Sequence, residues 1–254
     1  MNSGVYSLAP ESRRGRPAEM WLAPTGFDLW FIRQLAQLLG RWRLLDMGVQ
    51  SAIHHNLLGG WWYAAALFIL WMRGGQQEDE GVRRRILTTL VGSLIALVLM
   101  LLAARLIAWP PPFHNVNLAE LYPRYIYRNE SASSFPSQST TLYAAVASGV
   151  FSLNRPVGGL LWVGVVLLVG LPRIYVGGHY PLDVVAGMLL GLAGYAAARY
   201  LLESRLARPL ERIFRGRTWM QVLGELVVFA WILQVAVGFR DVVWLRNVLR
   251  YFLK

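Results

Sequence analysis

With 254 residues, 56% of them hydrophobic and only 15% charged, and a mean hydropathy of +0.40, the chain is too apolar for a soluble globular domain, in which about a quarter of residues are charged. Disordered, collagen-like and disulfide-stapled chains are excluded by the same figures, and the lack of cysteine removes thiolate metal sites and thiol nucleophiles. The net charge of +11 comes from 25 basic residues, all arginine except Lys254; lying beside apolar runs, they read as topology determinants and contacts to anionic membrane lipids, with no nucleic-acid partner implied.

Residues 1–26 contain Arg13, Arg14 and Arg16 with no apolar stretch directly behind them, so no cleavable signal peptide is expected. From Phe27 to Gly40, Leu29, Trp30, Phe31, Leu35, Leu38 and Leu39 alternate with polar residues over a length too short to cross a bilayer. This predicts an interfacial helix, although amphipathic packing against a bundle would give the same pattern. Apolar runs then predict transmembrane helices at about 57–73, 86–108, 138–154, 156–172, 181–201 and 219–239. Glu225 interrupts the last of these, and pairing with an arginine of the bundle is expected there. At the C-terminus Arg246, Arg250 and Lys254 recur every four residues against Val242, Leu245, Leu249 and Phe252, the pattern of a second interfacial helix. The expected fold is all-α, a polytopic membrane bundle of about six spans with flanking interfacial helices. It divides into an N-terminal tail with interfacial helices (1–56), a transmembrane core (57–201), and a basic linker with the sixth span and C-terminal amphipathic helix (202–254).

Three loops differ in character. Segments 73–85 and 202–217 are arginine-rich connectors, whereas 109–137 is long, with Pro110-Pro111-Pro112, His114, Arg124 and Arg128. Loops of that length inside a compact domain are usually functional. The short 172–181 turn lies on the same membrane side as 109–137, because two spans separate them. The arginine bias places the connectors in the cytoplasm and both other loops outside, although the basic termini then also lie outside.

In the 172–181 turn the pattern Arg173-x5-His179-x3-Asp183 carries the chemistry. If a helix begins near Pro181, Asp183 falls on the face of His179 and can accept a proton from one imidazole nitrogen, leaving the other as nucleophile or base. Arg173 can clamp an oxyanion across the Gly177-Gly178 turn, and the helix N-terminus adds amides aimed at the same anion. A plain helix cap beside a satisfied histidine is the structural alternative. Ser133-Ser134-Phe135-Pro136-Ser137-Gln138-Ser139-Thr140 opens the third span and offers hydroxyls and free amides to the same pocket.

Together these segments resemble the type 2 phosphatidic acid phosphatases (the PAP2 lipid phosphatases, related to vanadium haloperoxidases), over about residues 57–201. That family carries K-x6-R-P, P-S-G-H and S-R-x5-H-x3-D motifs. The third is matched by Pro172-Arg173, His179 and Asp183, with only its serine changed. The resemblance implies that His179 is the nucleophile forming a phosphohistidine, that Asp183 orients it, and that Arg173 and Ser137 bind phosphate. In the second motif the glycine falls on Gln138 and the histidine that protonates the leaving group falls on Ser139. In the first, Pro111 stands where arginine belongs and Ala104 where lysine belongs, beside Arg105. Arg105, His114, Arg124 and Arg128 are the candidates to replace the missing groups, with Gln138 and Ser139 as further substrate contacts.

The expected activity is removal of phosphate from a lipid phosphate or polyprenyl diphosphate at the outer face of a cytoplasmic (inner) membrane. No metal or cofactor is expected, because arginine and helix N-termini supply the positive field. A missing general acid costs about 10²–10⁴-fold when an alkoxide leaves, and less when a phosphate leaves, which favours a diphosphate. Two alternatives stay open: an impaired homologue that binds or transports lipid phosphates, and a phosphotransferase. The oligomeric state is not legible.

Overall fold

The computed structural model describes residues 24–54, 60–76, 80–107, 110–115, 118–122, 133–203 and 218–238. Among these residues the structure is helical, with no strand. Two short helices come first, α1 (Gly26–Ala36) and α2 (Arg43–His54). A capping box starts α1: Thr25 receives the Asp28 amide on its hydroxyl, and Asp28 accepts the Thr25 amide at 2.8 Å. The N-terminal region thus holds two helices where periodicity marked one.

The apolar runs then follow in order as α3 (Gly60–Gln76), α4 (Glu80–Leu106), α5 (Gln138–Leu153), α6 (Arg155–Gly164), α7 (Leu171–Tyr175), α8 (Pro181–Glu203) and α9 (Thr218–Val237). A π-helical stretch, Val165–Gly170, joins α6 to α7, so the fourth predicted span is one continuous rod. Pro172 gives the reason: its ring displaces the carbonyl four residues back, and the ladder shifts to the wider register just before it, with the Leu171 amide reaching Val166 O. Gly81–Leu106, Arg155–Tyr175 and Pro181–Leu202 are long and apolar enough to cross a membrane. The C-terminal amphipathic segment lies outside the described residues.

Helix α5 is the axis of the bundle, buried continuously from Thr140 to Val150. It packs between α4 and α8 at distances that only small residues permit. A Cβ on Gly149 would lie 2.0 Å from Thr89 Oγ1, one on Gly191 2.4 Å from Thr141 O, and one on Gly194 2.6 Å from Ala96. Such close approach is how helices associate in lipid, where apolar burial supplies little driving force. Tyr63 fastens α3 by stacking on Tyr143 at 4.6 Å and donating to Leu161 O at 2.8 Å, and Tyr143 in turn donates to Val235 O of α9. At the connector end Glu225 pairs with Arg83 at 3.1 Å and accepts the Trp71 indole N–H at 2.5 Å, the arginine pairing its sequence position suggested. At the opposite end a second apolar cluster joins Ile32, Phe113, Leu118, Tyr122, Ile174, Tyr180 and Val184.

Candidate active site

The second cluster underlies the meeting of two helix starts. Ser137, the residue before α5, donates its amide to Asp183 O at 3.1 Å, tying the entrance of α5 to the first turn of α8. Gly187 permits this contact, since a Cβ there would lie 2.7 Å from Ser137 O. Between α7 and α8 the chain turns through Gly177 at φ +75°, a conformation suited to glycine, with Tyr122 packed where a side chain would stand. Phe113 of the long loop donates its amide to Gly177 O at 3.2 Å, so the first-motif segment docks on the turn that carries His179. Asn115 adds a hydrogen bond to the Tyr180 hydroxyl at 3.2 Å. Burial raises the pKa of that hydroxyl and that of Tyr122; the Tyr180 hydroxyl therefore stays protonated and uncharged beside the site.

His179 is partly exposed, at 21% of its side chain, and Asp183 is fully buried. The expected direct hydrogen bond between them is replaced. His179 Nδ1 lies 3.7 Å from Asp183 Oδ2 and 2.7 Å from the Ser134 carbonyl oxygen. A carbonyl only accepts, so the network assigns the proton to Nδ1 and leaves the Nε2 lone pair as the reactive one. Asp183 Oδ2 instead accepts the Tyr180 amide at 2.8 Å and caps α8.

The amides at the start of α8 are also committed, against the expectation that they face the anion. Leu182 N–H goes to Asp28 Oδ1 at 3.0 Å, and those of Asp183 and Val184 go to Tyr180 O at 3.1 and 3.3 Å. Helix α5 is different: its first intrahelical bond runs from Thr141 N–H to Ser137 O, so the amides of Gln138, Ser139 and Thr140 precede the ladder. Ser137 makes no side-chain cap, and the Oγ atoms of Ser134 and Ser137 are buried without hydrogen-bond partners. Arg173 Nε is likewise buried and unpartnered, while its Nη2 donates to Ser139 Oγ at 2.6 Å. Unmet donors of this kind, around a histidine with a free nitrogen, form a cradle for a tetrahedral anion.

The remaining sequence candidates fall at different distances from this centre. Ser139 belongs to it through Arg173. The Gln138 side chain is turned to the end of α9, donating from Nε2 to Gly238 O at 3.3 Å. Arg105 is exposed on the last turn of α4. His114 is exposed beside the docked loop, edge-on to Phe113. Arg124 and Arg128 lie outside the described residues. Sequence reading named Ser134 only for its hydroxyl and missed its carbonyl, because a carbonyl ligand leaves no side-chain signature, and it missed Asp28, whose capping motif marks a helix start but not its reach to Leu182. Among the described residues, no group of three or more His, Asp or Glu side chains is placed to hold a metal ion.

Comparison with known proteins finds relatives by sequence. The model of the PAP2 superfamily matches residues 85–206. The bacitracin transport permease protein BcrC of Bacillus licheniformis is 40% identical over 67 residues, 26% of this chain and 32% of the relative. The undecaprenyl-diphosphatase BcrC of Bacillus subtilis is 34% identical over 103 residues, 39% of this chain and 48% of the relative. A lipid A 1-phosphatase of Rhizobium johnstonii is 35% identical over 119 residues, 42% and 47% of the two chains. The chain thus spans a third to a half of the length of these relatives. No solved structure matches it.

Proposed function

Since residues 85–206 belong to the PAP2 superfamily, we propose that this chain is a membrane lipid phosphatase acting on a polyprenyl diphosphate or related lipid phosphate, with His179 as nucleophile. The observation that carries the proposal is the His179 contact with Ser134 O at 2.7 Å, which leaves the Nε2 lone pair for attack, while Arg173 Nε on the same turn is buried without a partner. In the proposed reaction Nε2 attacks the terminal phosphorus, the bond from phosphorus to the bridging oxygen breaks, and the lipid monophosphate leaves as an anion. Water then attacks the phosphohistidine and releases inorganic phosphate. Arg173, Ser137 and the first amides of α5 stabilise the charge on the equatorial oxygens.

The diphosphate preference rests on Ser139. It stands where the family's acid would be, and its hydroxyl is held by Arg173 at 2.6 Å. A serine hydroxyl cannot replace an imidazolium as proton donor, a loss of about 10²–10⁴-fold for an alkoxide leaving group. A phosphate leaving group needs no such proton. The names of the relatives, an undecaprenyl-diphosphatase among them, support this substrate class. The arginine-rich connectors 73–85 and 202–217 support a site on the outer side of a cytoplasmic membrane.

The deciding experiment is phosphate release by purified protein from undecaprenyl diphosphate and from phosphatidic acid, beside His179→Ala. The expected result is faster diphosphate turnover that vanishes in the variant. Equal turnover of both substrates overturns the leaving-group argument. Activity retained by His179→Ala overturns the nucleophile, and release from neither substrate, with no transfer to added acceptor lipid, favours the impaired homologue.

A further inference from the structure

The two ends of the turn that carries the site are held from outside the family region. Asp28 of α1, fully buried, accepts the Leu182 amide at 3.0 Å, three residues past His179. Asp46 of α2, also fully buried, accepts the Tyr175 hydroxyl at 2.5 Å, two residues past Arg173. Neither carboxylate belongs to the family-matched segment 85–206. Each is also tied to the chain just ahead of its own helix, Asp28 through the Thr25 amide and hydroxyl at 2.8 Å and Asp46 through the Gly40 amide at 2.9 Å. Ile32, between them in the chain, packs in the apolar cluster with Ile174, Tyr180 and Val184.

Burying two carboxylates is costly unless each is fully hydrogen-bonded, and bonds to a charged acceptor are the strong ones. Here those bonds fall on both flanks of the segment 173–183 and leave its centre, His179, accessible. We propose that α1 and α2 together clamp this turn, with Asp28 and Asp46 as positioning residues that set the spacing of Arg173 and His179 through Tyr175 and Leu182. The inference rests on the catalytic reading of Arg173 and His179 given above.

Tyr175→Phe and Asp28→Asn in the full chain test it. Phe keeps the ring packing and removes one hydroxyl; Asn keeps one acceptor oxygen and loses the charge. Each variant is expected to lower kcat for undecaprenyl diphosphate about tenfold. KM is expected to stay within about twofold, because the phosphate ligands themselves remain. Amide exchange over 174–183 is expected to quicken while that of 142–150 in α5 stays slow. Unchanged kcat in both variants overturns the clamp even if exchange quickens. So does a fall in kcat accompanied by equally faster exchange in α5, which would mark general destabilisation. Exchange does not depend on turnover, so if wild type and His179→Ala prove equally inactive, unaltered exchange over 174–183 overturns the clamp and quickened exchange upholds the coupling while the catalytic reading fails.

Discussion

Three side chains and one carbonyl share the work at the residue scale. His179 needs a partner that accepts from Nδ1–H, and Ser134 O does so at 2.7 Å; Arg173 needs a free donor, and its Nε–H is one. His179→Ala is expected to reduce phosphate release at least about a thousandfold in a single-turnover assay, since no other nucleophile replaces it. Arg173→Lys keeps the charge but loses the planar fork, and about a hundredfold fall in kcat/KM is expected. Ser139→His restores a proton donor beside Arg173. It is expected to raise turnover of phosphatidic acid relative to undecaprenyl diphosphate by about tenfold or more, read as the ratio of the two initial rates. Spacing, placement at a helix start and the family resemblance together marked the arginine, histidine and aspartate as candidates. That Asp183 caps Tyr180 N while Ser134 O holds the imidazole was not, because the choice depends on two backbone segments meeting 45 residues apart in the chain.

At the scale of elements, the seam where α4, α5 and α8 meet decides whether the centre assembles. Gly191 sits against the backbone of α5, with Thr141 O 2.4 Å from where its Cβ would be. Gly191→Val forces α5 and α8 apart four residues from Gly187, beside which Ser137 O lies. A loss of about 1–3 kcal/mol of stability is expected, seen as a lower melting temperature in detergent, together with loss of activity. The apolar runs marked these helices in the sequence to within a few residues, because hydropathy over about 20 residues is a strong signal. The fourth predicted span closed at Pro172, whereas the rod runs on to Tyr175: a proline inside an apolar run marks a helix end locally, and the π-helical register that carries the chain through it depends on the residues around it. The second N-terminal helix, α2, was not marked separately, although Leu44, Leu45, Met47, Val49 and Ile53 recur among polar residues over its length.

For the whole molecule, the first amides of α5 and the guanidinium of Arg173 supply the positive field at one end of the bundle, and Arg83, Arg84 and Arg85 at the start of α4 lie at the other, Arg85 reaching Ser152 O at the end of α5. No step of the proposed reaction requires a Lewis acid, so phosphate release is expected to continue undiminished in excess EDTA. Hydropathy was enough to read an all-α membrane bundle, and the Arg173-x5-His179-x3-Asp183 spacing marked the turn here proposed to bind phosphate, because these properties are carried by residues close together in the chain. Which amides remain free for the anion, which oxygen holds His179, and the grip of Asp28 and Asp46 on the turn were settled only by the folded arrangement. Each depends on hydrogen bonds between segments from 45 to 154 residues apart, and only packing selects which of many possible donors and acceptors come within reach of one another.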